Sequence, residues 1–171
     1  GRRLLTASWD GTARLWSADG TELARLTGHE GAVLGGSFAP DGSVLTYSRD
    51  RTARLWAADG SCTAMLRGHR DWLLGASVSP GGRTVLTYSR DQTAQLWRID
   101  GKRLMTLRGH SDWVTAGAFM PDETEVVTAS ADHTARIWPA TVEALEELAR
   151  RHTVRGLTAL ERDVYLDFEH E

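Results

Sequence analysis

Three sets of histidine, serine and aspartate stand at matching intervals along the chain: His29, Ser48 and Asp50; His69, Ser89 and Asp91; His110, Ser130 and Asp132. A serine activated by a histidine that an aspartate orients is the arrangement of many hydrolases. Here the set recurs three times, and no oxyanion-hole motif accompanies any copy. The competing use is structural, because buried polar side chains need partners and a repeated network of them ties strands together. That use is the expected one, with no catalytic residue, and a hydrolase built on His, Ser and Asp is the least favoured alternative. Phosphate chemistry lacks a Gly-rich loop followed by Lys. The Gly-His histidines fall one to a unit in three units rather than at metal-ligand spacing, so neither a metal nor a cofactor is expected.

The elements that must position these residues repeat with them. Trp16, Trp56, Trp97 and Trp138 stand 40, 41 and 41 residues apart (16 to 56, 56 to 97, 97 to 138). Each has a Ser eight residues before it, an Asp six before and a Thr four before, as in Ser89, Asp91 and Thr93 ahead of Trp97. A Gly-His pair precedes three of the units, at Gly28-His29, Gly68-His69 and Gly109-His110. A period of about 40–45 residues with Gly-His and a late Trp marks a four-stranded propeller blade. The chain therefore resembles the WD40-repeat family over about residues 1–138. The residue after each Trp is Ser17, Ala57, Arg98 or Pro139, never the Asp of the family's namesake dipeptide.

The resemblance implies an all-β fold of β-propeller blades, four-stranded and antiparallel. It also implies roles for a structural network of His29, Ser48, Asp50 and Trp56, of His69, Ser89, Asp91 and Trp97, and of His110, Ser130, Asp132 and Trp138. In that network the His bonds the turn Asp and the strand Ser, and the Ser bonds the Trp indole. The turn residues agree with this fold. Pro40-Asp41-Gly42, Pro80-Gly81-Gly82 and Asp59-Gly60 reverse the chain between short apolar runs.

Two units are complete, blades 29–68 and 69–109, and two are partial, 1–28 and 110–138. The first lacks an inner strand and the fourth an outer strand. Propellers close with about 4–8 blades, so two expectations stand: the C-terminal part of a longer chain, or copies that close the ring together. After Pro139 the composition shifts. Residues 139–171 form a short C-terminal α-helical tail, with Val142, Leu145, Leu148 and Ala149 on one face and Thr158 and Glu161 as a capping box. This tail resembles the helical ends of bacterial WD40 proteins whose repeats follow a nucleotide-binding switch.

A formal net charge of −3 and a pI near 6.1 give no general attraction to nucleic acid or an anionic membrane. Cys62 is the only cysteine, which excludes an intrachain disulfide and favours a cytoplasmic setting. Lys102 is the only lysine, and Arg14, Arg54 and Arg136 recur on the third strand.

What remains is recognition. The residues just before the network Asp, and those opening the inner strand, meet on one ring face. These are Trp9, Arg49 and Arg90, with Leu34, Trp72, Leu74, Trp113 and Thr115. Exposed Trp and Arg are frequent interface anchors. Tyr47 with Arg49 and Tyr88 with Arg90 repeat in identical segments, a surface suited to acidic or repetitive ligands. The expected function is a non-catalytic scaffold that binds a protein or peptide partner on this face, as the sensor end of a larger bacterial switch protein. The alternative is a self-assembly module in which homo-oligomeric copies close the ring.

Overall fold

The computed structural model describes residues 3–141. The tail helices expected beyond that, with Thr158 and Glu161, lie outside the described residues. All regular structure among the described residues is β. Runs such as Val44–Ser48 (Val-Leu-Thr-Tyr-Ser) are rich in β-branched and aromatic residues, which suit a pleated, half-buried surface.

Among the described residues fourteen strands form four antiparallel sheets, each a simple meander. The first holds β1 (Arg3–Ala7), β2 (Ala13–Ser17) and β3 (Glu22–Leu26). The second holds β4 (Val33–Phe38), β5 (Val44–Ser48), β6 (Thr52–Trp56) and β7 (Cys62–Arg67). The third holds β8 (Leu73–Val78), β9 (Thr84–Ser89), β10 (Ala94–Arg98) and β11 (Arg103–Leu107). The fourth holds β12 (Val114–Phe119), β13 (Glu125–Ser130) and β14 (Ala135–Pro139). These sheets of three or four strands have the form of propeller blades.

The core lies between blades. One apolar cluster joins Ala13, Leu15 and Leu26 of the first sheet to Val33, Val44 and Trp56 of the second. The next joins Leu45, Leu55 and Leu66 to Leu73, Val85 and Trp97. The third joins Leu86, Leu96 and Leu107 to Val114, Val126 and Trp138. The third-strand Trp of each of these later blades thus fills the seam with the blade before it. Trp56 and Trp97 are 1% and 2% exposed, whereas Trp16, in the first sheet, is only half-buried.

Each inner strand carries a β-bulge at the same place. The pairing register slips between Val33 and Gly35, between Leu73 and Gly75, and between Val114 and Ala116. Leu34, Leu74 and Thr115 are therefore the extra residues, unpaired in the ladder. A bulge bends its strand and re-aims a side chain. The tight turn between the second and third strands is also repeated. Arg51, Gln92 and His133 hold φ of 70°, 70° and 66°, and Gly11 holds +84° at the same place in the first blade. A left-handed residue after a type I turn closes a three-residue hairpin, and it is a conformation that only glycine adopts without cost.

Candidate partner-binding face

The network of each complete blade begins with its Trp. The Trp97 indole N–H donates to Thr87 Oγ1 at 2.9 Å, and the same oxygen lies 2.8 Å from His69 Nε2. His69 Nδ1 lies 2.9 Å from Asp91 Oδ2. Asp91 Oδ2 also accepts the Arg70 backbone N–H at 2.8 Å, and its other oxygen accepts from the Thr93 amide and hydroxyl. One proton assignment satisfies the whole chain: the imidazole carries its proton on Nδ1 and donates it to Asp91. The Thr87 hydroxyl then donates to Nε2 and receives the indole N–H. His29, Thr46, Asp50 and Trp56 repeat this at 2.7–2.9 Å, and so do His110, Thr128, Asp132 and Trp138 at 2.8–2.9 Å.

This corrects the role expected for serine. Ser48, Ser89 and Ser130 do not touch the histidine or the indole. The Ser89 hydroxyl donates to the carbonyls of Asp71 and Trp72 and accepts the Asp91 N–H. Ser48 and Ser130 hold the Gly31 and Asp112 carbonyls in the same way. The serine fastens the interblade loop, and the threonine two residues earlier closes the His–Trp link. The signal was in the sequence: Thr6, Thr46, Thr87 and Thr128 each stand ten residues before a Trp. The His–Ser contact that hydrolysis needs is not made in any of the three sets. In the first and second sets, Thr46 and Thr87, the hydroxyls that do meet histidine, are fully buried.

The network also fixes charge. Burial alone would push the Asp50 and Asp91 carboxyls up. Hydrogen bonds from the paired histidine and from Thr52 or Thr93 outweigh it and hold both well below the usual carboxylate range. Asp132 is drawn down chiefly by the hydrogen bond from Thr134, against an opposing contribution from burial.

On the face beside these turns the expected Trp and Arg residues meet. Arg49 sits between two indoles, its guanidinium 4.6 Å from the Trp9 ring and 4.3 Å from the Trp72 ring. Arg90 sits between the next pair, 4.7 Å from Trp72 and 3.8 Å from Trp113. The result is a continuous stack across four blades: Trp9, Arg49, Trp72, Arg90, Trp113. Cations over indole faces attract the ring quadrupole, and Arg also stacks flat. Trp9 holds, in the first blade, the turn position that Arg49 and Arg90 hold in theirs. It fills the space left because Ala32, not a Trp, opens the second blade. Both ends of the stack are open, with Trp9 75% and Trp113 42% exposed.

The other expected face residues divide. Leu34 and Leu74 are half-buried at their bulges, and Thr115 is exposed, its hydroxyl donating to the Ala129 carbonyl at 3.3 Å. Tyr47 and Tyr88 do not form exposed pairs with the arginines. They lie across the sheet over Gly35 and Gly75, where any side chain would collide with the phenol, and pack on the interblade cores. Burial accordingly raises both phenol pKa values.

Comparison with known proteins accounts for the repeat. The family model described as WD domain, G-beta repeat matches residues 1–17, 20–57, 60–98 and 101–139. The chain belongs to the WD40-repeat family. Its WD40 sequence repeats are offset from its blades: the repeat 20–57 contains the outer strand β3 of one sheet and β4, β5 and β6 of the next. The repeats 60–98 and 101–139 straddle a seam in the same way. A WD40-repeat stretch of 44 residues is 54% identical to Ribosome assembly protein 4 of the fungus Chaetomium thermophilum, covering 25% of this chain and 8% of that protein.

Proposed function

We propose that this chain is a non-catalytic protein–protein interaction scaffold that grips a partner peptide or domain on the face carrying the Trp/Arg stack. WD40 repeats generally mediate protein–protein interaction. The observation that carries the reading here is the stack itself. Two arginines and three tryptophans are spent on a surface feature that the repeat's own His–Asp–Thr–Trp network does not require. Side chains already locked against one another lose little entropy when a partner arrives, and Trp and Arg are the residues on which binding energy concentrates. The exposed, unpaired thiol of Cys62 fits the proposed cytoplasmic setting. The test is quantitative capture of protein partners from cells of the source organism by the wild type and by the Trp9→Ser/Trp113→Ser double variant, at matched melting temperature. Loss of a defined partner in the variant supports the reading. Undiminished capture of every partner refutes it.

A second reading, self-assembly that closes a ring, is favoured by a different observation. Ile137 is 59% exposed, although Leu15, Leu55 and Leu96 hold the same repeat position at 0–2%. Leu4 is 58% exposed, although Val44, Val85 and Val126 hold its position at 0%. The two outer sheets thus carry apolar faces of the kind that neighbouring blades cover elsewhere. Light scattering of the wild type and of Ile137→Lys separates the two: self-assembly requires an oligomer that the lysine breaks.

A further inference from the structure

The stack ends at Trp113 for a reason visible in the repeat. The Arg90 amide donates to the Trp72 carbonyl at 3.0 Å, and the Ala131 amide donates to the Trp113 carbonyl at 2.9 Å. Residue 131 therefore stands to Trp113 as Arg90 stands to Trp72. Trp72 carries two guanidinium groups, Arg49 at 4.3 Å and Arg90 at 4.7 Å. Among the described residues Trp113 carries one, Arg90 at 3.8 Å, because the methyl group of Ala131 offers no cation. The indole stays 42% exposed, and Thr115 beside it is exposed as well. The Asp112 carboxylate accepts the Trp113 backbone N–H at 2.7 Å, which puts a negative charge at the base of this residue. The stack is thus complete at each inner position and lacks one cation at a position set by a residue within a described blade.

We propose that this slot receives an arginine side chain from the bound partner, whose guanidinium stacks on Trp113 in the place that Ala131 leaves empty. The proposal rests on the partner-binding reading of this face and specifies the partner's anchoring residue. Trp72 shows that an indole in this setting holds two cations. A planar, weakly hydrated guanidinium suits the slot better than a compact ammonium, and the Asp112 carboxylate complements its charge.

The probe is an acetylated Gly-Arg-Gly amide, with the citrulline peptide as its neutral isostere. It is titrated against the full chain while the Trp113 indole N–H is followed by NMR, the resonance being assigned with Trp113→Phe. The expected result is a saturable shift of that resonance, with half-saturation on the order of threefold to tenfold lower for arginine than for citrulline. Ala131→Arg, which supplies the missing cation from the chain itself, should abolish the shift while leaving the fold intact. Equal shifts with both peptides, no shift at Trp113, or an undiminished shift in Ala131→Arg would each overturn the proposal. Failure here with stack-dependent partner capture intact leaves the scaffold reading standing. Failure of the capture experiment removes that reading itself.

Discussion

At the scale of single residues, the deciding fact is which hydroxyl meets the histidine. Thr87 and Ser89 are two residues apart on the same face of one strand, so alternation alone assigns both to the network. Only the 2.8 Å and 2.9 Å distances from Thr87 Oγ1 to His69 and Trp97 settle the role. Replacing Thr87 by Val keeps the shape and leaves the indole N–H without an acceptor in a dry seam. We expect chemical denaturation to show a loss of about 2–3 kcal/mol. Ser89→Ala, whose partners belong to the interblade loop, should cost about 1 kcal/mol. The reverse ranking would return the link to serine. The carboxylates set the pH dependence. Asp50, Asp91 and Asp132 all titrate lower in the folded chain than their ordinary value near 3.9. The folded state thus binds fewer protons, and the stability they contribute is full above about pH 4 and is lost as pH falls through their folded values. Asp19 and Asp100, each held at about 2, act with the same sign. The urea midpoint should be level from about pH 7 to 5 and fall steeply below about pH 4. Asp91→Asn should make that fall shallower.

At the scale of elements, strands and turns were readable because apolar runs and Asp-Gly punctuation repeat in phase. The bulges were not. Leu34, Leu74 and Thr115 appear in the sequence as ordinary members of inner strands, and only the slipped register sets them apart. The left-handed turn residues were equally hidden, since Arg51, Gln92 and His133 share no chemistry. The first blade shows the unstrained solution in Gly11, at φ +84°. Gln92→Gly should therefore stabilise the chain by about 1 kcal/mol, the left-handed penalty being larger than the added freedom of the unfolded glycine. A lower melting temperature would show that the Gln92 side chain makes a contact worth more than the strain.

At the scale of the whole molecule, the blades, their order and the shared face of the Trp and Arg residues could be read from four Trp in register, whereas the alternation of those residues in one stack could not. Its members Trp9, Arg49, Trp72, Arg90 and Trp113 come from turns and loops of four different blades, and only the three-dimensional structure shows each guanidinium over two indoles. The seams between blades carry most of the apolar burial, so position in the row matters more than residue type. Leu96, 1% exposed, sits in a seam; Ile137, 59% exposed, holds the same repeat position in the fourth sheet. Leu96→Ala should cost about 2–5 kcal/mol and Ile137→Ala under about 0.5 kcal/mol. A large, concentration-dependent cost at Ile137 would mean that another copy covers that sheet.

The reading of the face stands on the stack being assembled before any partner arrives. A double-mutant cycle in stability between Arg90→Ala and Trp113→Ala measures this directly, since the two side chains meet at 3.8 Å. A preassembled stack gives a favourable coupling of about 0.5–2 kcal/mol. Additive effects, with no coupling beyond error, would mean that the two side chains do not hold each other in solution, and the preorganised binding face would have to be abandoned.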